Sequence, residues 1–263
     1  MYALRIAGQS IVFAYAEMRA VHTLRTWLLG WLARLLIQVS FFALIGRFVA
    51  DRDTMRFVLI GNVVAVTCLE SMIVVLTMVQ ERATGTLPLL AISPTNHVPI
   101  YFSRGLHWLA SGIVTSYTAW LVLPPLLGVP LPWPRALIGL LVIPVVSVTS
   151  YCYGCVLSSV AVRWMGLTWI TLNLGYLPLM TFCGVNVPVS FWPSWLRAVV
   201  QVLPLTHGLE AIRRFLAGAS FVQILPDLGW EALVGVGWLA IAAVSINQVV
   251  ARGRVSGALE FGS

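Results

Sequence analysis

Two charges stand inside runs of residues that are otherwise apolar. Arg34 falls within residues 27–49 and Glu70 within 57–79. At a rise of 1.5 Å per residue, each lies about 12–14 Å from the same end of its run. A lone charge at the centre of a bilayer costs about 2.5–3.5 kcal/mol or more, so matched depth on consecutive helices predicts an intramembrane ion pair between Arg34 and Glu70. A second chemistry is open to the same residue: Glu70 shares a helical face with Thr77 and can line a path for a solute. On a later run Trp169, Asn173, Tyr176 and Met180 fall on one face. An aromatic, amide and thioether lining of that kind suits a bulky amphiphile, and packing between helices explains it equally well. The candidate path is therefore Glu70, Thr77, Asn173, Tyr176 and Met180.

Other reactive groups do not assemble into a catalytic pattern. Cys152-Tyr153-Gly154-Cys155 is a C-x-x-C, but it lies in an apolar run with no second ligand pair, which reads as small residues packing a helix. His22, His97, His107 and His207 stand singly and none precedes a glutamate, so H-E-x-x-H is absent. There is no G-x-S-x-G. Asp51, Asp53 and Asp227 fall in expected loops, where they cannot form an intramembrane aspartyl pair. All 16 basic residues are arginine, and without lysine the chain has no Walker A phosphate loop and no Schiff-base chemistry. An intramembrane enzyme of unrecognised type and a non-transport sensor or scaffold remain as alternatives from other classes.

The elements that must position these residues follow from composition. Of 263 residues, 59% are hydrophobic and only 10% charged, with a mean hydropathy of +0.92. Soluble domains carry about 25% charged residues, so this is an integral membrane protein. The net charge of +7 comes from arginines scattered singly, which gives no basic stripe for nucleic acid. Residues 1–25 place Leu4, Ala7, Ile11, Tyr15 and Met18 at helical spacing opposite Arg5, Gln9 and Glu17, an amphipathic helix lying in the membrane interface. Residues 26–263 then form one membrane domain with six spans near 27–49, 57–79, 100–127, 136–162, 165–187 and 230–250, each long enough for a core of about 30 Å.

Between the last two of these runs lies 188–229, too broken by proline to span and too apolar for an ordinary loop. It predicts two short helices that re-enter the outer leaflet, one near Trp192–Val200 and one near Leu209–Leu216. Eight arginines fall on the side of the termini and seven on the other, or four once this long segment is set aside. The positive-inside rule then puts both termini in the cytoplasm. The fold class is all-α integral membrane, with an N-terminal interfacial helix, six spans and short re-entrant helices before the last span.

The loop at 80–98, "QERATGTLPLLAISPTNHV", interrupts this pattern. Gln80-Glu81-Arg82 brings the chain to the interface, Thr84-Gly85 signals a turn, and Leu87, Leu90 and Ala91 give a short apolar ridge ended by Ser93-Pro94. A water-facing helix with an apolar ridge needs a partner.

"ERATGTLPLLAISP" resembles the E-R-x-x-G-T-L-x-x-L-x-x-S-P segment of the ABC-2 family of ABC-transporter permeases, and "LPLTHGLEAIRR" is similar to that family's N-P-L-T-x-x-x-E-x-x-R segment. Leu203 replaces the family's frequent asparagine, and Pro88 its frequent glutamate. The resemblance implies that Glu81, Arg82, Gly85, Thr86, Leu87 and Leu90 form the coupling helix that docks on a separate nucleotide-binding subunit. It implies that Pro204, Thr206, Glu210 and Arg213 belong to the re-entrant outer segment. No cofactor is then expected in this chain; ATP and magnesium would sit on the partner. The implied assembly has two ATPase subunits and two permease chains, identical or merely similar, in a bacterial cytoplasmic membrane among its lipids. Family members move drugs, peptides, lipids and glycan carriers. The compact loops favour a small hydrophobic drug or natural product, with a lipid-linked glycan or a peptide as the alternative.

Overall fold

The computed structural model describes residues 23–85 and 97–256, so the expected interfacial helix at 1–25 lies almost wholly outside the described residues. The chain opens with a helical turn, Leu24–Thr26, and six residues of π-helix, Trp27–Leu32. α1 (Ala33–Val49) follows. Asp51 starts α2 (Arg52–Met72): its carboxylate accepts the Thr54 backbone N–H at 2.7 Å, satisfying an orphan donor of the first turn. That bond also holds the Asp51 carboxyl below the usual carboxylate range. A one-residue break at Ile73 leads into α3 (Val74–Ala83).

The later helices are α4 (His97–Arg104), α5 (Leu106–Leu126), α6 (Trp133–Gly139) and α7 (Val142–Arg163). Then come α8 (Thr168–Phe182), α9 (Ser194–Val200), α10 (Thr206–Leu216) and α11 (Phe221–Ser256). No strand occurs among the described residues.

Five helical segments are long and apolar enough to cross a bilayer: Trp27–Val49, Arg52–Ala83, His97–Leu126, Trp133–Arg163 and Phe221–Ala251. They match five of the six expected spans. The expected span at 165–187 is cut short. It begins with a 3₁₀ turn at Met165–Leu167, and α8 has only 15 residues before Gly184 takes φ +88°. Fifteen residues reach roughly 22 Å, less than a hydrocarbon core.

The last helix also differs from expectation. It starts at Phe221, nine residues ahead of the expected start at 230, because Pro226 is accommodated near its N-terminal end. The two short helices expected in 188–229 are present as α9 and α10, and α10 buries Leu209, Ile212, Phe215 and Leu216.

The segment Arg52–Ala83 is the centre of the packing: 94% of its apolar window is buried, against 22% for each of the first and last segments. α1, α5 and α7 surround it, and α11 packs along α7. The four cysteines are buried and unbridged, so the C-x-x-C is part of the packed face of α7.

Candidate functional site

Three polar constellations interrupt this apolar framework. The first lies at the end of α3, where the chain enters the loop at 80–98. Glu81 is buried, and its Oε1 pairs with Arg104 Nε at 3.2 Å. Arg82 Nη1 donates to the Val162 carbonyl and, at 3.3 Å, to the Arg163 carbonyl. Adjacent residues of α3 thus grip the end of α4 and the end of α7. The helix is closed by Thr84, whose hydroxyl donates to the Gln80 carbonyl at 3.1 Å, and by Gly85 at φ +75°, a conformation that glycine takes without strain. Thr86, Leu87 and Leu90, the remaining residues of the expected coupling helix, lie outside the described residues.

The second constellation surrounds Glu70. The structure does not bring Arg34 and Glu70 together. Arg34 is exposed on α1, with its guanidinium 5.4 Å from the Trp31 ring. The inward stripe of α1 is instead Leu35, Val39, Ala43 and Gly46, which turns Arg34 away. Glu70 is fully buried against α5, and its Oε2 accepts the Ser111 hydroxyl at 2.5 Å. Ser111 Oγ in turn accepts Trp27 Nε1–H at 3.2 Å. Thr77 is buried two turns further on, in α3, and accepts Trp108 Nε1–H at 3.0 Å.

The α8 residues divide. Tyr176 and Met180 are buried, whereas Asn173 is exposed and its amide donates to its own helix at the Trp169 carbonyl, 2.7 Å away. Glu70 and Thr77 therefore do not share an open surface with Asn173. A lateral groove of about 660 Å³ opens elsewhere, between the α9–α10 turn and α11, lined by Gln201, His207, Trp230, Leu233 and Trp238.

The third constellation holds the outer segment. Pro204 and Thr206 are buried, and Glu210 is exposed. Arg213 reaches back from α10 to three carbonyls: Gly184 at 2.5 Å, Phe57 at 3.1 Å and Val185 at 3.3 Å. Its guanidinium also lies 3.5 Å from the centre of the Phe57 ring. One side chain thereby joins α10, the chain leaving α8 and the second turn of α2.

Sequence reasoning missed the partner of this lock. Glu231 of α11 is fully buried, and its carboxylate accepts the backbone N–H groups of Leu205 (2.8 Å) and Gly208 (3.0 Å). It caps α10 from a different helix, where Leu205 adopts φ +81° and offers no side-chain cap. The signal was present: Glu231 is the one acid in the apolar run 230–250, and an acid there needs a stated partner.

The sequence profile described as "ABC-2 family transporter protein" matches residues 52–244. This interval holds the α3 end, Glu70, Arg213 and Glu231. No curated protein matches the chain significantly. Membership of such a family implies association with an ABC ATPase subunit, and the apolar helices make this a multi-pass membrane protein. The chain belongs to the ABC-2 family of transporter permeases.

Proposed function

We propose that this chain is the membrane subunit of an ATP-driven exporter that moves a hydrophobic or amphiphilic small molecule out of a bacterial cell by alternating access. The observation that carries the reading is the double grip at the end of α3. Glu81 on Arg104 and Arg82 on Val162 fasten three helices at the root of the loop at 80–98. A movement imposed on that loop by an ATPase subunit is passed to all three together. Coupling of this kind requires the partner to bind the two states of the membrane subunit with different affinity.

In this reading residues 80–98 lie in the cytoplasm and α8 completes a sixth crossing with the turn before it and the residues after it. The exposed face of α8, with Trp169, Asn173, Leu174 and Leu177, meets a second permease chain and forms the wall of the path. Tyr176 and Met180 support that wall from behind. Two ATPase subunits bind the ATP and magnesium.

Native mass spectrometry of the gently solubilised complex, with ATPase activity assayed alongside, tests the proposal. Wild-type chain should carry an ATPase subunit, and a Gly85→Pro plus Leu87→Asp variant should lose it. A wild-type chain that holds no nucleotide-binding protein in mild detergent or in crosslinked membranes overturns the reading.

A further inference from the structure

Glu70 has no task in the coupling described above, yet its surroundings are unusual for a buried acid. Among the described residues no cation lies within ion-pair distance of it; the ion pairs there are Glu81–Arg104 and Arg214–Asp227. Oε2 is engaged by Ser111, but Oε1 is buried without a hydrogen-bond partner. Two hydroxyls in the same place are also buried without one: Thr67 Oγ1, one turn earlier on α2, and Thr115 Oγ1, one turn after Ser111 on α5. Thr115 and the Trp31 indole both stand beside the Glu70 carboxyl.

The backbone keeps this space open. A Cβ at Gly112 would stand 3.0 Å from the Thr67 carbonyl oxygen, 3.1 Å from Thr67 Oγ1 and 3.1 Å from Glu70 Cβ. Its absence leaves room among the oxygens. Immediately beyond, the helical ladder is broken: Ile73 N–H bonds to the Glu70 carbonyl at 3.1 Å and Leu76 N–H to the Ile73 carbonyl at 2.8 Å, both three residues apart instead of four. Carbonyls at breaks in membrane helices are free to turn towards ions.

We propose that these groups form a sodium-binding site, with Glu70 as the anionic ligand and Thr67, Ser111 and Thr115 as neutral oxygen ligands. The donor set is all oxygen, which suits a hard cation and disfavours the softer transition metals. It contains a single carboxylate, so a monovalent ion leaves the site neutral, whereas a divalent ion would leave a buried positive charge. Neutrality matters because a charge left unpaired in a membrane interior is expensive. Two ionisable groups stand on neighbouring turns of α5 and α1. His107, one turn before Ser111, packs its ring 4.9 Å from Trp108, and Arg34 lies over Trp31; neither pairs with Glu70. The other charged groups packed near α2 are engaged elsewhere: Arg213 of α10 lies on the Phe57 carbonyl and ring, and the Glu231 carboxylate caps α10.

The full-length chain in nanodiscs of stated lipid composition tests this by thermal unfolding and by equilibrium binding of radioactive sodium. Sodium, potassium and N-methyl-D-glucamine chlorides are compared at equal ionic strength across a pH series. Sodium should raise the midpoint saturably and N-methyl-D-glucamine should not, following the logarithmic dependence of a ligand that binds only the folded state. Glu70→Gln should abolish the effect and Thr115→Val should weaken sodium binding at least about tenfold. If Glu70→Gln fails to fold, Thr115→Val and direct binding to wild type still decide. Identical unfolding in all three salts, or stabilisation that follows acidity alone, overturns the proposal, the latter assigning the site a proton. The measurement uses neither ATPase nor transported molecule, so its outcome is independent of the exporter reading.

Discussion

Replacing Glu231 tests how the outer segment is held. Its carboxylate accepts two buried backbone N–H groups, at 2.8 and 3.0 Å, and each bond to a charged acceptor contributes about 1.5–3 kcal/mol. Glu231→Ala removes both acceptors, orphans both donors and leaves α10 without a cap, so the expected loss is roughly 3–6 kcal/mol. Glu231→Gln retains one acceptor oxygen and turns an NH₂ group towards a backbone donor, which should cost about half as much, roughly 1.5–3 kcal/mol. Thr149→Val is the control. It removes a 3.2 Å hydrogen bond to the Glu231 backbone carbonyl and leaves the carboxylate in place, for a loss near 1 kcal/mol. Reversible SDS unfolding in mixed micelles gives the free energies, and hydrogen exchange read by mass spectrometry localises them. The Leu205 and Gly208 amides should lose protection in both Glu231 variants before the rest of the chain does. Glu231→Ala within about 0.5 kcal/mol of wild type, the spread of an ordinary surface change, would refute the reasoning, as would unchanged protection of those two amides.

Three further outcomes are expected. On the proposed exporter reading, Arg82→Ala should leave the ATPase subunit bound but make its hydrolysis unresponsive to amphiphiles, because the grip on Val162 is lost while the loop at 80–98 stays; ATPase assays on the purified complex check this. Gly61→Ala should be severely destabilising, since a Cβ there runs into the Val185 carbonyl oxygen and the Arg213 guanidinium; an overpacking loss of about 1–3 kcal/mol or more is expected in thermal unfolding. The bond to Thr54 depresses the carboxyl of Asp51 in the folded chain. Its stabilising contribution is therefore complete above the unfolded carboxylate value and fades as pH falls through the lower folded one, so exchange of the Thr54 amide should quicken only in acid, and Asp51→Ala should remove that pH dependence.

How much of this was legible in the sequence depends on what each inference needed. Long apolar runs are a one-dimensional signal, and five of them appear as helices of spanning length. The run at 165–187 contains a shorter helix than its length suggested, because hydropathy registers no difference between helix and the irregular chain around Gly184. Depth could be read for Arg34 and Glu70, but azimuth could not. α1 is apolar on almost every side, so its sequence carries no contrast to say that Leu35, and not Arg34, faces inward. The α3 end was marked by its charges, while their partners, Arg104 and the Val162 carbonyl, are fixed only by tertiary packing. Glu231 shows the same limit: a carboxylate that caps another helix leaves no local motif at its own position.

The unequal enclosure of the spans decides where the bilayer takes hold of the molecule. The apolar stretch within Arg52–Ala83 is 94% sheltered by the protein, whereas those within Trp27–Val49 and Phe221–Ala251 are only 22% sheltered. The 31 residues of the last segment extend roughly 46 Å, well beyond a hydrocarbon core of about 30 Å, so this helix must tilt or project from the membrane. The lipid therefore acts mainly on α11 and α1, the helices it touches most. The sheltered segment that carries Glu70, Glu81 and Arg82 has almost no lipid contact and keeps its register as membrane thickness varies.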